Sequence, residues 1–171
     1  MSADSTIQLR PAQAEDAQTI EVLTLVGYLA VEHSRHDEHQ VIAALREDGQ
    51  LAVSQVAEHD GYVVGHVAAS PVTVSDGARD WYALGPLTVG PGHRGQGLGT
   101  RLVQTALEAL RARGANGCVV LGEPAYYGRF GFVVEPGLTL AGASPWPLLA
   151  LAFDDRLPPL GEVSYAPAFP L

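Results

Sequence analysis

Glycines alternate with other residues in the segment GPGHRGQGLGT, which runs from Gly90 to Thr100. The apolar spacing after Gly99 predicts that a helix begins here, and the first N–H groups of a helix have no partner within it. The helix dipole adds partial positive charge at the same end, and glycine lets a ligand approach the backbone closely. The segment therefore predicts a binding site for a phosphate or pyrophosphate group.

Other interpretations of this segment fit less well. A Walker P-loop ends in Gly-Lys-Ser/Thr, and the chain contains no lysine. A dinucleotide-binding loop has the spacing G-x-G-x-x-G, whereas Gly95, Gly97 and Gly99 occupy alternate positions. A loop that only turns the chain would leave the position of Arg94 beside these glycines unexplained.

The elements on either side of the glycine segment predict a strand–helix–strand unit. Residues 81–89 favour a strand, residues 99–113 carry apolar side chains at spacings of three and four, and residues 118–121 are all apolar. A short apolar run suits a strand that is covered on both faces and parallel to the first, in a right-handed unit. Gly85-Pro86 interrupts the first strand, because proline has no N–H to donate. We expect the two strands to separate there.

The rest of the pattern predicts a mixed α/β (α+β) fold with a mostly antiparallel central sheet. Further strands are expected at residues 7–10, 51–58, 62–69 and 163–165, and further helices at 14–25 and 37–47. Turn signals at 59–61 and 75–77 join three strands into an antiparallel meander. Because no linker divides the chain, we expect residues 1–171 to form a single domain, in which the tail 133–171 is the least regular part.

Two sequence motifs resemble those of the GNAT superfamily of N-acetyltransferases. Val89, Pro91, Arg94, Gly97 and Gly99 are similar to its acetyl-CoA signature, Q/R-x-x-G-x-G/A with the preceding strand. The segment YGRFGF at 127–132 resembles its Tyr-x-x-x-Gly-Phe element, in which Gly-Phe begins the next strand. The motifs and the order of elements cover residues 7–132, and the stretch LGEPAYY at 121–127 is most similar to a bacterial subgroup known only as N-acetyltransferases.

The resemblance implies acetyl-CoA as a co-substrate, no metal, and a βαβ acetyl-CoA-binding unit with a splayed parallel strand pair. It implies transfer of the acetyl group to a primary amine of a small molecule or peptide by direct attack in a ternary complex. The implied cofactor-binding residues are Leu87, Thr88 and Val89 for the pantetheine arm and Arg94, Gly95, Gln96, Gly97, Leu98, Gly99 and Thr100 for the pyrophosphate.

Acetyl transfer needs an acid for the departing thiolate and a base for the amine, whose pKa is about 10.4 for a lysine-like group. By its position in the motif, Tyr127 is the implied acid. Glu123 is the candidate base because it ends the predicted strand beside the thioester, with His66, Glu32, His33 or ordered water as alternatives. An N–H of Leu87 or Val89 is the implied donor to the developing oxyanion. The family often has an asparagine where this chain has Gly122-Glu123.

Composition excludes several other classes. A formal net charge of −9 argues against a nucleic-acid partner. The single cysteine, Cys118, cannot form an intramolecular disulfide, and His33, His36 and His39 recur at a step that drifts around a helix, so no metal site is predicted. Neither a signal peptide nor a membrane-spanning run is evident, so we expect a cytoplasmic protein with no membrane contact; a homodimer is left open.

Two classes of function remain beside the enzyme. A non-enzymatic acyl-CoA-binding or sensing module would keep residues 94–99 and would need no acid, and a plain interaction domain would leave the glycine segment unexplained. Acyl transfer to an alcohol or another nucleophile is a variant of the enzymatic prediction.

Overall fold

The computed structural model describes residues 6–171, which form eight strands and four α-helices. In chain order these are β1 (Ile7–Pro11), α1 (Ala17–Tyr28), α2 (Glu38–Glu47), β2 (Val53–His59), β3 (Tyr62–Val74), β4 (Trp81–Val89), α3 (Leu98–Ala112), β5 (Gly117–Leu121), α4 (Pro124–Tyr127), β6 (Leu138–Leu140), β7 (Leu148–Ala152) and β8 (Gly161–Ser164). Short 3₁₀ turns precede α1 and α3 and follow α4.

The strands form one sheet in the order β1-β2-β3-β4-β5-β7, and β8 pairs with the end of β3 and with β6. The pairs β4–β5 and β6–β8 are parallel, and the other strand pairs are antiparallel. The prediction of a mixed, mostly antiparallel sheet with a βαβ unit is therefore confirmed.

The parallel pair is splayed. Strand β4 is in register with β5 only from Trp81 to Ala83, and beyond that point to Val89 it pairs with β3 and no longer with β5. On its other side, the register of β3 with β4 shifts between Val67 and Ala69, opposite Gly85-Pro86. The shift agrees with the missing N–H of proline, and the predicted separation near Pro86 is confirmed.

The helices cover both faces of the sheet. The apolar stripe predicted for α3 is buried in the main core, as are Val67 of β3 and Val120 of β5. The stripe consists of Leu102, Val103, Ala106, Leu107 and Leu110. On the opposite face, Ile20 of α1 and Ile42 of α2 pack on Val56 of β2. Helix α3 thus holds the glycine segment against one end of β4.

Three predictions about element positions need correction. Residues 14–16 form a 3₁₀ turn, so α1 begins at Ala17 and continues to Tyr28 rather than ending at residue 25. The tail contains three strands instead of one, because β7 pairs with the whole of β5 and β6 pairs with β8. Gly131-Phe132 does not begin a strand: Val133 forms only an isolated bridge with Ala150. Among residues 6–171, no helix is long and apolar enough to cross a membrane.

Candidate active site

The glycine segment opens α3 as predicted. Gly97 is the N-cap of the helix with φ of +76°, and Gly95 has φ of +75°, a left-handed conformation that costs other residues roughly 1–2 kcal/mol. The first α-helical bond runs from the Arg101 N–H to the Gly97 carbonyl. The N–H groups of residues 98–100 therefore lie free at the positive end of a 15-residue helix. A Cβ on Gly95 or Gly97 would have no neighbour within 4 Å, so this backbone faces open space.

A cavity of about 280 Å³ surrounds this loop, and two side chains that the sequence did not single out for the cofactor contribute to it. The Tyr126 hydroxyl lies 3.1 Å from where a Cβ of Gly99 would be. The Arg129 guanidinium stacks 4.4 Å from the centre of the Tyr126 ring and adds positive charge to the cavity wall. We refer to this space as the phosphate cavity.

The Arg94 side chain donates to two backbone carbonyls, whereas its backbone is part of the glycine segment. Its Nε donates to the Val89 carbonyl at 3.2 Å and its Nη2 donates to the Gly27 carbonyl at 2.8 Å. Gly27 is required there, because a Cβ would overlap the Thr88 side chain. Through these two hydrogen bonds, Arg94 links the end of α1 to the end of β4.

The splay between β4 and β5 forms a second cavity of about 370 Å³, which we call the channel. The backbone groups of Leu87 point into it, where they meet Tyr28 of α1, a residue that sequence reasoning missed. The Tyr28 hydroxyl donates to the Leu87 carbonyl at 3.0 Å and accepts from the Leu87 N–H at 3.3 Å. Burial and, to a lesser degree, the nearby charge of Glu38 raise the pKa of Tyr28 to about 12. Thr88 also lines the channel, while it pairs with His66 of β3.

Tyr127 lies where the channel meets a third cavity of about 230 Å³, and it lines both. Its ring packs against Phe130 and Phe132. Gly122 is required beside it, because a Cβ there would overlap the Tyr127 ring. Burial, with smaller contributions from Tyr28 and Tyr126, raises the pKa of the Tyr127 phenol, so the group keeps its proton at neutral pH. Its hydroxyl makes no hydrogen bond within residues 6–171.

The candidate bases occupy different places. Glu123 is exposed, precedes α4 and lines the channel. His33 lines the third cavity, and Glu32 lines neither space. His66 belongs to β3 and its side chain is buried, with Nε2 2.9 Å from Ser54 Oγ. Burial lowers the pKa of His66 to about 4. It lines neither the channel nor the third cavity.

The three histidines weighed as metal ligands do not form a cluster. His33 and His36 lie in the loop before α2 with positive φ, and His39 is on α2. In the part of the chain that the structure describes, no group of three or more His, Cys, Asp or Glu side chains is placed to hold a metal ion.

The splayed strand pair and the glycine-rich start of α3 beside the gap are the two structural features that the resemblance to the GNAT superfamily implies. The chain belongs to the Acetyltransferase (GNAT) family, whose model matches residues 15–132. The resemblance deduced from the two motifs is thereby confirmed. That residues 1–171 form one domain stays a prediction.

Similar proteins support the assignment. The chain is 45% identical over 96 residues to the uncharacterized N-acetyltransferase YhbS of Escherichia coli, and this alignment spans 56% of the chain and only 58% of YhbS. The crystal structure of E. coli YhbS in complex with CoA superposes with a TM-score of 0.89 at 30% identity, covering 98% of this chain and 94% of that one. A GNAT family acetyltransferase from Brucella melitensis in complex with acetyl-CoA gives a TM-score of 0.85 at 36% identity, covering 96% and 98%.

Proposed function

We propose that the protein is an acetyl-CoA-dependent N-acetyltransferase that acetylates a primary amine by direct attack in a ternary complex. The proposal rests on three cavities that adjoin one another through shared lining residues. Val89, Arg94 and Tyr126 line both the phosphate cavity and the channel, and Tyr28, Leu87 and Tyr127 line both the channel and the third cavity. A long cofactor and a separate acceptor could therefore meet beside Tyr127.

The residues present fit acetyl-CoA. The free N–H groups of residues 98–100 and the Arg129 guanidinium suit a pyrophosphate, and the glycine backbone at Gly95 and Gly97 leaves room for it. Beyond Ala83, β4 no longer pairs with β5, so a pantetheine arm could lie along this side of the strand beside Leu87 and Val89. When bound, acetyl-CoA supplies an acetyl thioester, whose thiolate is a moderate leaving group.

The backbone of β4 can stabilise the charge that develops during attack. The Leu87 N–H points into the channel and would donate to the developing oxyanion. To do so, it exchanges its 3.3 Å contact with the Tyr28 hydroxyl, which keeps its own donation to the Leu87 carbonyl.

Two side chains would handle the protons. The acceptor first loses its ammonium proton to solvent, because only the neutral amine can attack. As the amine nitrogen bonds to the acetyl carbon and the carbon–sulfur bond breaks, a second proton goes from the nitrogen to Glu123, directly or through water, and Glu123 then releases it to solvent. The Tyr127 phenol gives its proton to the departing thiolate and later recovers one from solvent. The raised pKa of Tyr127 keeps it in the proton-donating form before the reaction.

A panel of primary amines and matched alcohols tests the proposal, with thiol release and the acetylated product measured together. We expect stoichiometric release and acetylation for at least one amine. Tight binding of acetyl-CoA with no turnover on any amine or alcohol would favour a sensing module, and turnover on alcohols alone would make the enzyme an O-acyltransferase.

A further inference from the structure

The third cavity has a shape and a lining that restrict the acceptor. At about 230 Å³ it is smaller than the roughly 300–1,000 Å³ of pockets for drug-sized ligands. It lies between the end of α1, the start of α2 and the last residues of the tail, and five aromatic side chains contribute to its walls. These are Tyr28, Tyr127, Trp146, Tyr165 and Phe169. A compact, flat, apolar body fits such walls.

One carboxylate in this cavity is left with an unused oxygen. Glu38 Oε1 accepts from the Ser34 hydroxyl at 2.5 Å, whereas Glu38 Oε2 is buried and has no partner within residues 6–171. Asp37, which also lines the cavity, already lies 3.6 Å from the Arg35 guanidinium. Arg35 in turn donates to the Pro170 carbonyl. Glu38 thus has no basic partner, while Asp37 has one.

A second polar group in the same cavity is also unpaired. The Tyr165 hydroxyl is buried without a hydrogen-bond partner in the described chain, and its ring packs edge to face on Phe169. Buried polar groups in folded proteins normally have hydrogen-bond partners, because leaving one unpaired is destabilising. Glu38 and Tyr165 both line this one cavity, so a single polar ligand bound there could supply partners to both.

We propose that the acceptor is a compact aromatic primary amine whose ammonium group is bound by Glu38 Oε2, with its ring held between the aromatic walls of the third cavity. This inference rests on the proposed function and adds the substrate class to it. Glu38, Tyr28 and Leu87 line the same cavity, so a ligand bound at the carboxylate would share this space with Leu87, where the reacting carbonyl would lie. Arg35 also lines the cavity but is paired with Asp37, so a compound that carries a carboxylate in place of the amine would meet the unpaired negative charge of Glu38 and be repelled.

The test is isothermal titration of 2-phenylethylamine, 2-phenylethanol and phenylacetate into the protein, with and without saturating CoA. These probes share a ring and differ in charge, and no turnover is needed. We expect the amine to bind at least about tenfold more tightly than the alcohol and the carboxylate not to bind. Equal affinity for amine and alcohol, or no binding of any of the three, would overturn the inference.

Single substitutions test whether Glu38 is the residue that favours the amine. Glu38→Gln preserves the size of the side chain and should weaken amine binding about 10- to 100-fold, the range for a hydrogen bond to a charged group, without changing affinity for the alcohol. Glu47→Gln, an exposed carboxylate at the other end of α2, is the matched control and should change neither. Tyr165→Phe removes only the second unpaired group and should weaken the amine less. Parent-like amine affinity in a folded Glu38→Gln variant contradicts the proposal.

The same samples separate the two hypotheses. If acetyl-CoA binds but the probes show no preference for positive charge, the inference about the acceptor fails and the proposed function stands. If acetyl-CoA itself does not bind, the proposed function fails.

Discussion

Replacing Tyr127 with phenylalanine removes one oxygen atom from the junction of the channel and the third cavity. The hydroxyl has no hydrogen-bond partner among residues 6–171, and the ring contacts with Phe130 and Phe132 remain in the variant. We therefore expect the free energy of unfolding to change by less than about 1 kcal/mol, a shift in Tm of at most about 2–4 °C. Affinity for acetyl-CoA should also be preserved.

Turnover should respond differently. If the Tyr127 phenol protonates the thiolate, its loss lowers kcat by about 10²–10⁴-fold, the usual contribution of a positioned acid. The assay is thiol release at saturating acetyl-CoA on a verified acceptor, with single-turnover kinetics to confirm that chemistry limits the rate. Tyr62→Phe is the matched control: this tyrosine is exposed at the start of β3 and lines none of the three cavities, so kcat should stay within about twofold.

Two results would refute the reasoning about Tyr127. If kcat of the Tyr127→Phe variant stays within about twofold of the parent when chemistry is rate-limiting, Tyr127 is not the acid. If affinity for acetyl-CoA falls instead, the hydroxyl acts in binding.

Three further predictions follow from the packing and charges. Gly97→Val places a branched side chain at φ of +76° in the phosphate cavity, so titration should show acetyl-CoA affinity at least about tenfold lower in a folded variant; unchanged affinity contradicts the site. Gly122→Ala forces the Tyr127 ring to move, so kcat should fall by about 10²-fold, and a double-mutant cycle with Tyr127→Phe should be non-additive; additive losses would argue against this contact. The Arg10 hydrogen bond lowers the pKa of Asp16 below its ordinary 3.8, so its stabilisation is present above that pH and lost as pH falls through the folded value. In urea titrations, Asp16→Asn should cost about 1.5–3 kcal/mol at pH 7 and progressively less below pH 3.8; a constant deficit would contradict the ion pair.

Local sequence patterns were sufficient for the elements that build the cofactor site. The 3.6-residue period of α3 determines which side chains are buried, and the alternating glycines mark where its N–H groups become free. Gly85-Pro86 indicated the splay because proline lacks a donor, a property independent of the rest of the fold.

Features that depend on distant contacts were not predictable in the same way. The run 148–152 becomes strand β7 only because β5 offers it a free edge. The Tyr28 hydroxyl bonds Leu87, which lies 59 positions away in the sequence. The environment of Glu38 likewise includes the tail, which packs against α2 through Ala166 and Phe169. Gly122-Glu123, where the family often has an asparagine, could be recognised from the sequence only as a departure, whereas the structure shows that a Cβ at Gly122 would overlap the Tyr127 ring.

The central claim is that acetyl-CoA lies along the phosphate cavity and the channel with its thioester beside Tyr127. A crystal structure of this protein with acetyl-CoA tests it most directly. We predict pyrophosphate oxygens within hydrogen-bonding distance of the N–H groups of residues 98–100, and the thioester carbonyl near the Leu87 N–H with its sulfur within reach of the Tyr127 hydroxyl. A cofactor bound outside the gap between β4 and β5, or a thioester distant from Tyr127, would contradict the account.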